Sequence, residues 1–133
     1  MHEDVLRQFL EGRASTADLA GDLQGALASD GPEMTRHAIV DMVGTFEVQP
    51  HHLVRVCDAV LDGAIPLSFL QAIGFCVVTS AAFHWDGDSP EGDRVANVAY
   101  DWSAPEINYP LTQRNVAAWR RRLLGEEVSM EAQ

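Results

Sequence analysis

The amino-acid sequence predicts an all-α fold: a single-domain antiparallel helical bundle over residues 1–133, with about six or seven helices and a buried central helix at about 66–83. Three observations carry that expectation. Apolar residues recur at helical spacing in segment after segment. No run alternates apolar and polar residues for long enough to make a convincing strand. The chain has 133 residues, of which 47% are hydrophobic, enough for one core without a metal or disulfide staple.

The elements follow in order. Val5, Leu6, Phe9 and Leu10 give the first helix an apolar stripe, ended by Gly12. Leu19, Leu23, Ala26 and Leu27 give the second, entered through Ser15 with Asp18 three residues on, a reciprocal capping pattern. Ile39, Met42, Val43 and Phe46 fit the helical template, yet the β-branched content of 36–48 also suits a short strand, so both readings stay open. Leu53, Val56, Cys57, Val60 and Leu61 make the next stripe, closed by Gly63. Pro66 suits a first helical position, and Leu67, Phe69, Leu70, Ile73, Phe75, Cys76, Val77 and Val78 are apolar nearly all round, which belongs in the middle of a bundle. Ser89-Pro90-Glu91 opens a helix that turns Val95, Val98, Ala99 and Trp102 inward. Thr112 caps the last, which carries Val116, Trp119, Leu123 and Leu124. Residues 9–19 (FLEGRASTADL) and 60–70 (VLDGAIPLSFL) echo one another. In both, Gly ends one helix and Ser or Pro starts the next, as helical hairpins require.

Charge narrows the function classes. Twenty acidic residues face 9 basic ones, a formal net charge of −11, and every basic residue is Arg. Such a surface repels a phosphate backbone, so nucleic acid and anionic membrane are not expected partners, whereas a basic protein is. The N-terminal MHEDVLRQFL lacks the basic-then-apolar pattern of a signal peptide, and the apolar stretch 72–83 is too short to span a bilayer. Cys57 and Cys76 sit in apolar surroundings and read as reduced, buried thiols of a cytoplasmic protein.

Three places have the residue types of chemistry. The loop HWDGDSPEGD (84–93) offers Asp86, Asp88, Glu91 and Asp93 to a divalent ion. An EF-hand loop begun at Asp86 needs a ligand, Gly and Glu where Pro90, Glu91 and Asn97 stand, so the stretch reads better as a solvated entry to a helix capped by Ser89. His2, His37, His51, His52 and His84 show no zinc spacing, and no nucleophile elbow or phosphate-binding loop occurs. Neither a catalytic residue nor a cofactor is therefore expected. The third place is DWSAPEINYP (101–110). Pro105 stops one helix and Pro110 biases Tyr109 toward extension, which predicts a stiff extended bridge packed by Trp102, Ile107 and Tyr109, with Glu106 and Asn108 turned outward.

Three segments carry a resemblance: HLVRVCDAVLDG (52–63), AIGFCVVTSAAFHWD (72–86) and DWSAPEINYPLTQRNVAAWRRRL (101–123). In these the chain resembles a group of small, acidic, uncharacterised helical proteins of bacteria, similar to the immunity proteins of colicin-type and contact-dependent toxin systems. The resemblance implies an acidic face that covers a basic toxin domain. Together with the charge, it gives the expected function: a non-enzymatic protein that binds and neutralises a basic toxin. The expected surface comprises Trp85, Asp86, Asp88, Glu91 and Asp93, joined by Glu106, Asn108 and Tyr109 if the two loops meet. Alternatives are a self-associating structural or regulatory protein, forming a homodimer through its aromatic second half, and a metal-dependent hydrolase using Asp86, Asp88 and Glu106.

Overall fold

A computed structural model describes residues 3–28 and 44–131, apart from the side chains of 23–28. The stripe Ile39, Met42 and Val43, and the side chains of Leu23, Ala26 and Leu27, lie outside the described residues. The fold is mostly helical, as expected. The described helices are α1 (Glu3–Leu10), α2 (Thr16–Ala28), α3 (Pro50–Leu61), α4 (Phe69–Thr79), α5 (Pro90–Ser103) and α6 (Gln113–Leu123). Two short strands, β1 (Phe46–Glu47) and β2 (Phe83–His84), pair in parallel with Phe46 opposite Phe83 and Glu47 opposite His84. A parallel pair needs a crossover, and α3 and α4 supply it. Of the two readings open over 36–48, the described part at Phe46–Glu47 is strand.

Local chemistry explains most helix ends. The Ser15 amide donates to the Asp18 carboxylate and the Asp18 amide donates to Ser15 Oγ, each at 3.1 Å, the reciprocal cap that the spacing predicts. Ser89 Oγ accepts from the Gly92 amide at 2.9 Å, and Thr112 Oγ1 accepts from the Asn115 amide at 3.1 Å. At the other ends, Gly12 and Gly63 stand at φ of 81° and 78°. The residue after each closes a six-residue ring, Arg13 amide to Gln8 carbonyl at 2.7 Å and Ala64 amide to Ala59 carbonyl at 2.9 Å. The sequence echo is thus the same C-terminal capping motif used twice. It breaks at Pro66, which lies in a turn: the Phe69 amide bonds the Pro66 carbonyl at 3.1 Å and the regular helix starts only after Ser68. At its other end the helix stops at Thr79, because Ser80 is extended (ψ 132°) and leads into β2. The central helix expected at 66–83 is therefore shorter at both ends.

The core explains which faces are apolar. α4 buries Phe69, Leu70, Ala72, Ile73, Gly74, Cys76 and Val77, and keeps only Phe75 and Val78 half-buried among its large apolar residues. Its most extensive partner is α5, which contributes Val95, Val98, Ala99 and Trp102, while α3 packs chiefly on α6. Trp102 meets Trp119 of α6 edge to face, with ring centroids 6.2 Å apart. Trp119 Nε1 donates to Asp101 at 3.1 Å, so the polar edge of that buried ring is satisfied. Burial pushes the Asp101 carboxyl above its usual range, against the opposing pull of that hydrogen bond and of Arg122 at 3.7 Å. Cys57 and Cys76 are buried thiols, as expected, and burial beside Asp58 pushes the Cys57 thiol up to about 12. Cys57 is accordingly a protonated core residue at neutral pH. α1 is tied in by its own first residue: the buried Glu3 carboxylate accepts from Ser80 Oγ at the end of α4.

Candidate functional site: an aromatic strip along the fifth helix

The expected site residues fall at the two ends of α5. Asp86, Asp88, Glu91 and Asp93 gather at its N-terminus, and Glu106, Asn108 and Tyr109 follow its C-terminus. A helix of 14 residues holds these ends about 20 Å apart, so the two loops do not meet. What joins them is an aromatic strip. Trp85 is half-buried on the core and meets Tyr100 edge to face, ring centroids 6.4 Å apart. Helical side chains lean toward the N-terminus, so Tyr100 points back along α5 toward the chain that enters it. Past Tyr100, the Asn108 carboxamide donates to the Tyr100 carbonyl at 3.3 Å and to the Ala104 carbonyl at 3.1 Å. Asn108 thereby satisfies carbonyls that the helix end leaves open. Trp85, Tyr100 and Asn108 thus lie along one side of α5.

At the entry loop, structure and exposed charge divide between different residues. Asp86 is architectural: its carboxylate accepts from the Asp88 amide at 3.0 Å, and its carbonyl accepts from Ser89 Oγ at 3.1 Å. That carbonyl lies directly over Gly92, where a Cβ would come within 1.6 Å of it. A Gly92→Ala substitution must therefore push the loop off the helix. It is expected to cost about 1–2 kcal/mol, the exposed loop yielding part of the strain, as thermal unfolding by circular dichroism would measure. Asp88, Glu91 and Asp93 point to solvent. Among the described residues, no ion pair involves these three, Asp86 or Glu106. Their charge is available to another molecule.

The exit loop differs from its expected form. Residues 105–107 make a turn rather than an extended bridge, with the Asn108 amide bonded to the Ala104 carbonyl at 3.1 Å. Ile107 does not pack the corner; it is 80% exposed. A turn continuing from the helix end swings residue 107 outward, whereas strict alternation in a strand would have placed it beside Tyr109. Tyr109 does pack on the core, and Glu106 is exposed. Two residues outside the expected set join the surface: Ile107, and Tyr100 at 54% exposure. Tyr100 was legible as an aromatic outside the Val95–Val98–Ala99–Trp102 stripe, since it stands about 200° round the helix from Trp102.

A concavity of about 440 Å³ lies between the α1–α2 corner and α3, lined by Ser15, Thr16, His51, Arg55, Asp58 and Asp62 among others. Its charges are mixed and partly engaged, since Asp58 pairs with Arg120 of α6 at 2.6 Å. Among the described residues no three His, Cys, Asp or Glu side chains converge into a metal-ligating group, and α5 keeps Asp86 and Asp88 apart from Glu106. No protein-family model, curated protein or solved structure matches this chain.

Proposed function

We propose that this chain is a non-catalytic cytoplasmic protein that binds a basic protein partner through the strip along α5, the role an immunity protein plays toward a basic bacterial toxin. The observation that carries this reading is the pairing of exposed aromatic and apolar side chains, Tyr100 and Ile107 beside Trp85, with unpaired carboxylates at both ends of the helix. Tyr and Trp supply large contact area at low entropic cost, while flanking charges steer encounter and exclude wrong partners. The net charge of −11 extends that steering field over the whole molecule. An antiparallel packing of the helices in one domain would hold the strip rigid, so that little ordering is needed on binding.

Co-expression with the product of the adjacent gene tests the reading. A toxic neighbour rescued by this chain is the expected result, and a harmless one counts against the toxin assignment. With the partner in hand, Tyr100→Ala is expected to weaken binding about thirtyfold, roughly 2 kcal/mol, because the ring is an exposed anchor whose loss leaves the core intact. Asp88→Asn with Glu91→Gln is expected to slow association and flatten its salt dependence, measured by surface plasmon resonance, with little effect on dissociation. The same exposed strip supports a second reading, self-association as a homodimer, which the acidic rim opposes by like-charge repulsion. Light scattering at micromolar concentration separates the two: a strict monomer removes the dimer.

A further inference from the structure

The segment after α6 turns back along that helix. Gly125, at φ 94°, closes α6 with the Glu126 amide on the Arg121 carbonyl at 3.1 Å, and Glu126 pairs with Arg121 at 3.1 Å. Six residues after Gly125, Glu131 has returned to the first turn of α6, where its carboxylate pairs with Arg114. Between these points burial alternates. Val128 and Met130 are half-buried, whereas Glu127, Ser129 and Glu131 are exposed, the period-two pattern of an extended chain on a surface. Met130 packs on the core.

One side chain of α6 holds the backbone of this strap as a neighbouring strand would. Asn115 is fully buried, which is rare for a polar residue without partners of its own. Its Oδ1 accepts from the Glu131 amide at 2.9 Å, and its Nδ2 donates to the Glu131 carbonyl at 3.1 Å. The second Nδ2 hydrogen goes to the Pro110 carbonyl at 2.9 Å, so the bracket fixes the carboxamide's orientation. Asn115 therefore binds both backbone polar groups of one residue, whatever that residue's side chain. α6 also concentrates positive charge: Arg114, Arg120, Arg121 and Arg122 are four of the nine basic residues in the chain. Two of these, Arg114 and Arg121, lie seven residues apart on one side of α6 and pair with the acidic strap, while Arg120 pairs with Asp58 and Arg122 faces Asp101.

The strap itself is lightly held. Among the described residues, no backbone–backbone hydrogen bond reaches 127–131. Besides the two Asn115 bonds to Glu131, two half-buried side chains and two exposed ion pairs hold it, and exposed pairs contribute little. Releasing the strap costs few side-chain contacts, but it leaves the buried Asn115 carboxamide without the Glu131 N–H and carbonyl it was matched to. An opening that is cheap for the strap and unfavourable for the site favours replacement over vacancy.

We infer that α6 and the Pro110 turn form a docking site for an extended protein segment with alternating apolar and acidic residues, and that residues 126–131 are its releasable occupant in cis. The partner this site fits is an acidic strand-like peptide from another chain. The site is built on α6 rather than on α5, and its Pro110 turn directly follows the exit loop that carries Asn108 and Tyr109.

Two measurements on the full chain test this. In native-state hydrogen exchange, the Glu131 amide is expected to exchange at least about a hundredfold faster than the Trp119 amide, with no dependence on denaturant. A fluorescein-labelled peptide with the sequence of residues 126–131 is expected to bind the full-length Met130→Asp variant, whose own strap is weakened. The double variant Met130→Asp/Asn115→Ala should bind it at least about tenfold more weakly. Exchange of Glu131 only through global unfolding would overturn the inference. So would a helical Met130→Asp chain that leaves the peptide unbound at millimolar concentration. If Met130→Asp does not fold, the exchange measurement on the unsubstituted chain decides alone.

Discussion

Gly74→Ala should cost about 2–3 kcal/mol of folding stability, although alanine is the better helix former. In an open helix position the exchange gains roughly 0.5–1 kcal/mol, because glycine loses more backbone entropy on folding. At Gly74 that gain meets a wall. A Cβ there would come within 2.7 Å of Trp102 Cβ, 2.8 Å of the Ala99 carbonyl oxygen and 2.9 Å of the Ser103 amide nitrogen. Two of these atoms are backbone of α5, so no rotamer change relieves the contact. The helix must move, and α5 is the most extensive partner of α4. Moving it also disturbs Trp102 against Trp119, and with it the Trp119–Asp101 hydrogen bond. Overpacking a close-packed interface costs about 1–3 kcal/mol and occasionally more. Urea unfolding should show a lower midpoint with an unchanged slope, and near-ultraviolet circular dichroism should change as the tryptophan pair shifts. Gly21 in α2 is the control, since a Cβ there meets nothing within 4 Å. Gly21→Ala should be neutral or stabilising by about 0.5–1 kcal/mol. A Gly74→Ala chain as stable as Gly21→Ala would refute the close approach of α4 and α5.

The features legible in the sequence are those whose causes lie within a few residues. Ser15 with Asp18, Ser89 with Gly92 and Thr112 with Asn115 are caps that the chain spells out locally, and Gly12 and Gly63 end their helices by a motif of six residues. The helical stripes were legible for the same reason. What escaped depends on distant partners. The β1–β2 pair joins Phe46 to Phe83, and two residues per strand are too few to show a period. The start of α4 slipped past Pro66 because a proline suits a turn as well as a first helical position. In the candidate site, the acidic loop and Trp85 could be named in advance. That α5 would hold the loop and the bracket apart follows from counting 14 residues of helix, and the aromatic link through Tyr100 follows from tertiary packing. Asn115 gave no signal: an asparagine three residues after a cap is ordinary until Glu131 returns to it.

Lowering the pH from 7 to 4 is expected to remove about 3 kcal/mol of stability through one residue, His52. The His52 ring is buried against Phe46, ring centroids 4.8 Å apart, and its Nδ1 accepts from the Gln49 amide at 2.8 Å. That bond requires a lone pair on Nδ1, which places the proton of the neutral ring on Nε2. Protonating Nδ1 would turn an acceptor toward a donor and charge a ring that is largely shielded from water. Burial accordingly lowers the His52 pKa from 6.5 to about 4, with His51 and Arg55 adding to the shift and Glu11 opposing it. Between those values the unfolded chain binds a proton that the folded chain does not, so stability falls as the pH falls from 6.5 to 4. Above about 7 the His52 contribution is constant; below 4 both states are protonated and the loss is complete. Asp101 works in the opposite direction: its raised pKa makes the folded state take up a proton early as acid is added, which is stabilising on the way down. His52→Asn separates the two. Asparagine offers an oxygen close to where Nδ1 stood, keeps the bond from Gln49, and does not titrate. Urea midpoints measured from pH 7 to 4 should fall steeply for the unsubstituted chain and much less for His52→Asn. Parallel pH profiles for the two proteins would mean that His52 accepts its proton in the folded state, and that the ring is neither buried nor bonded as described.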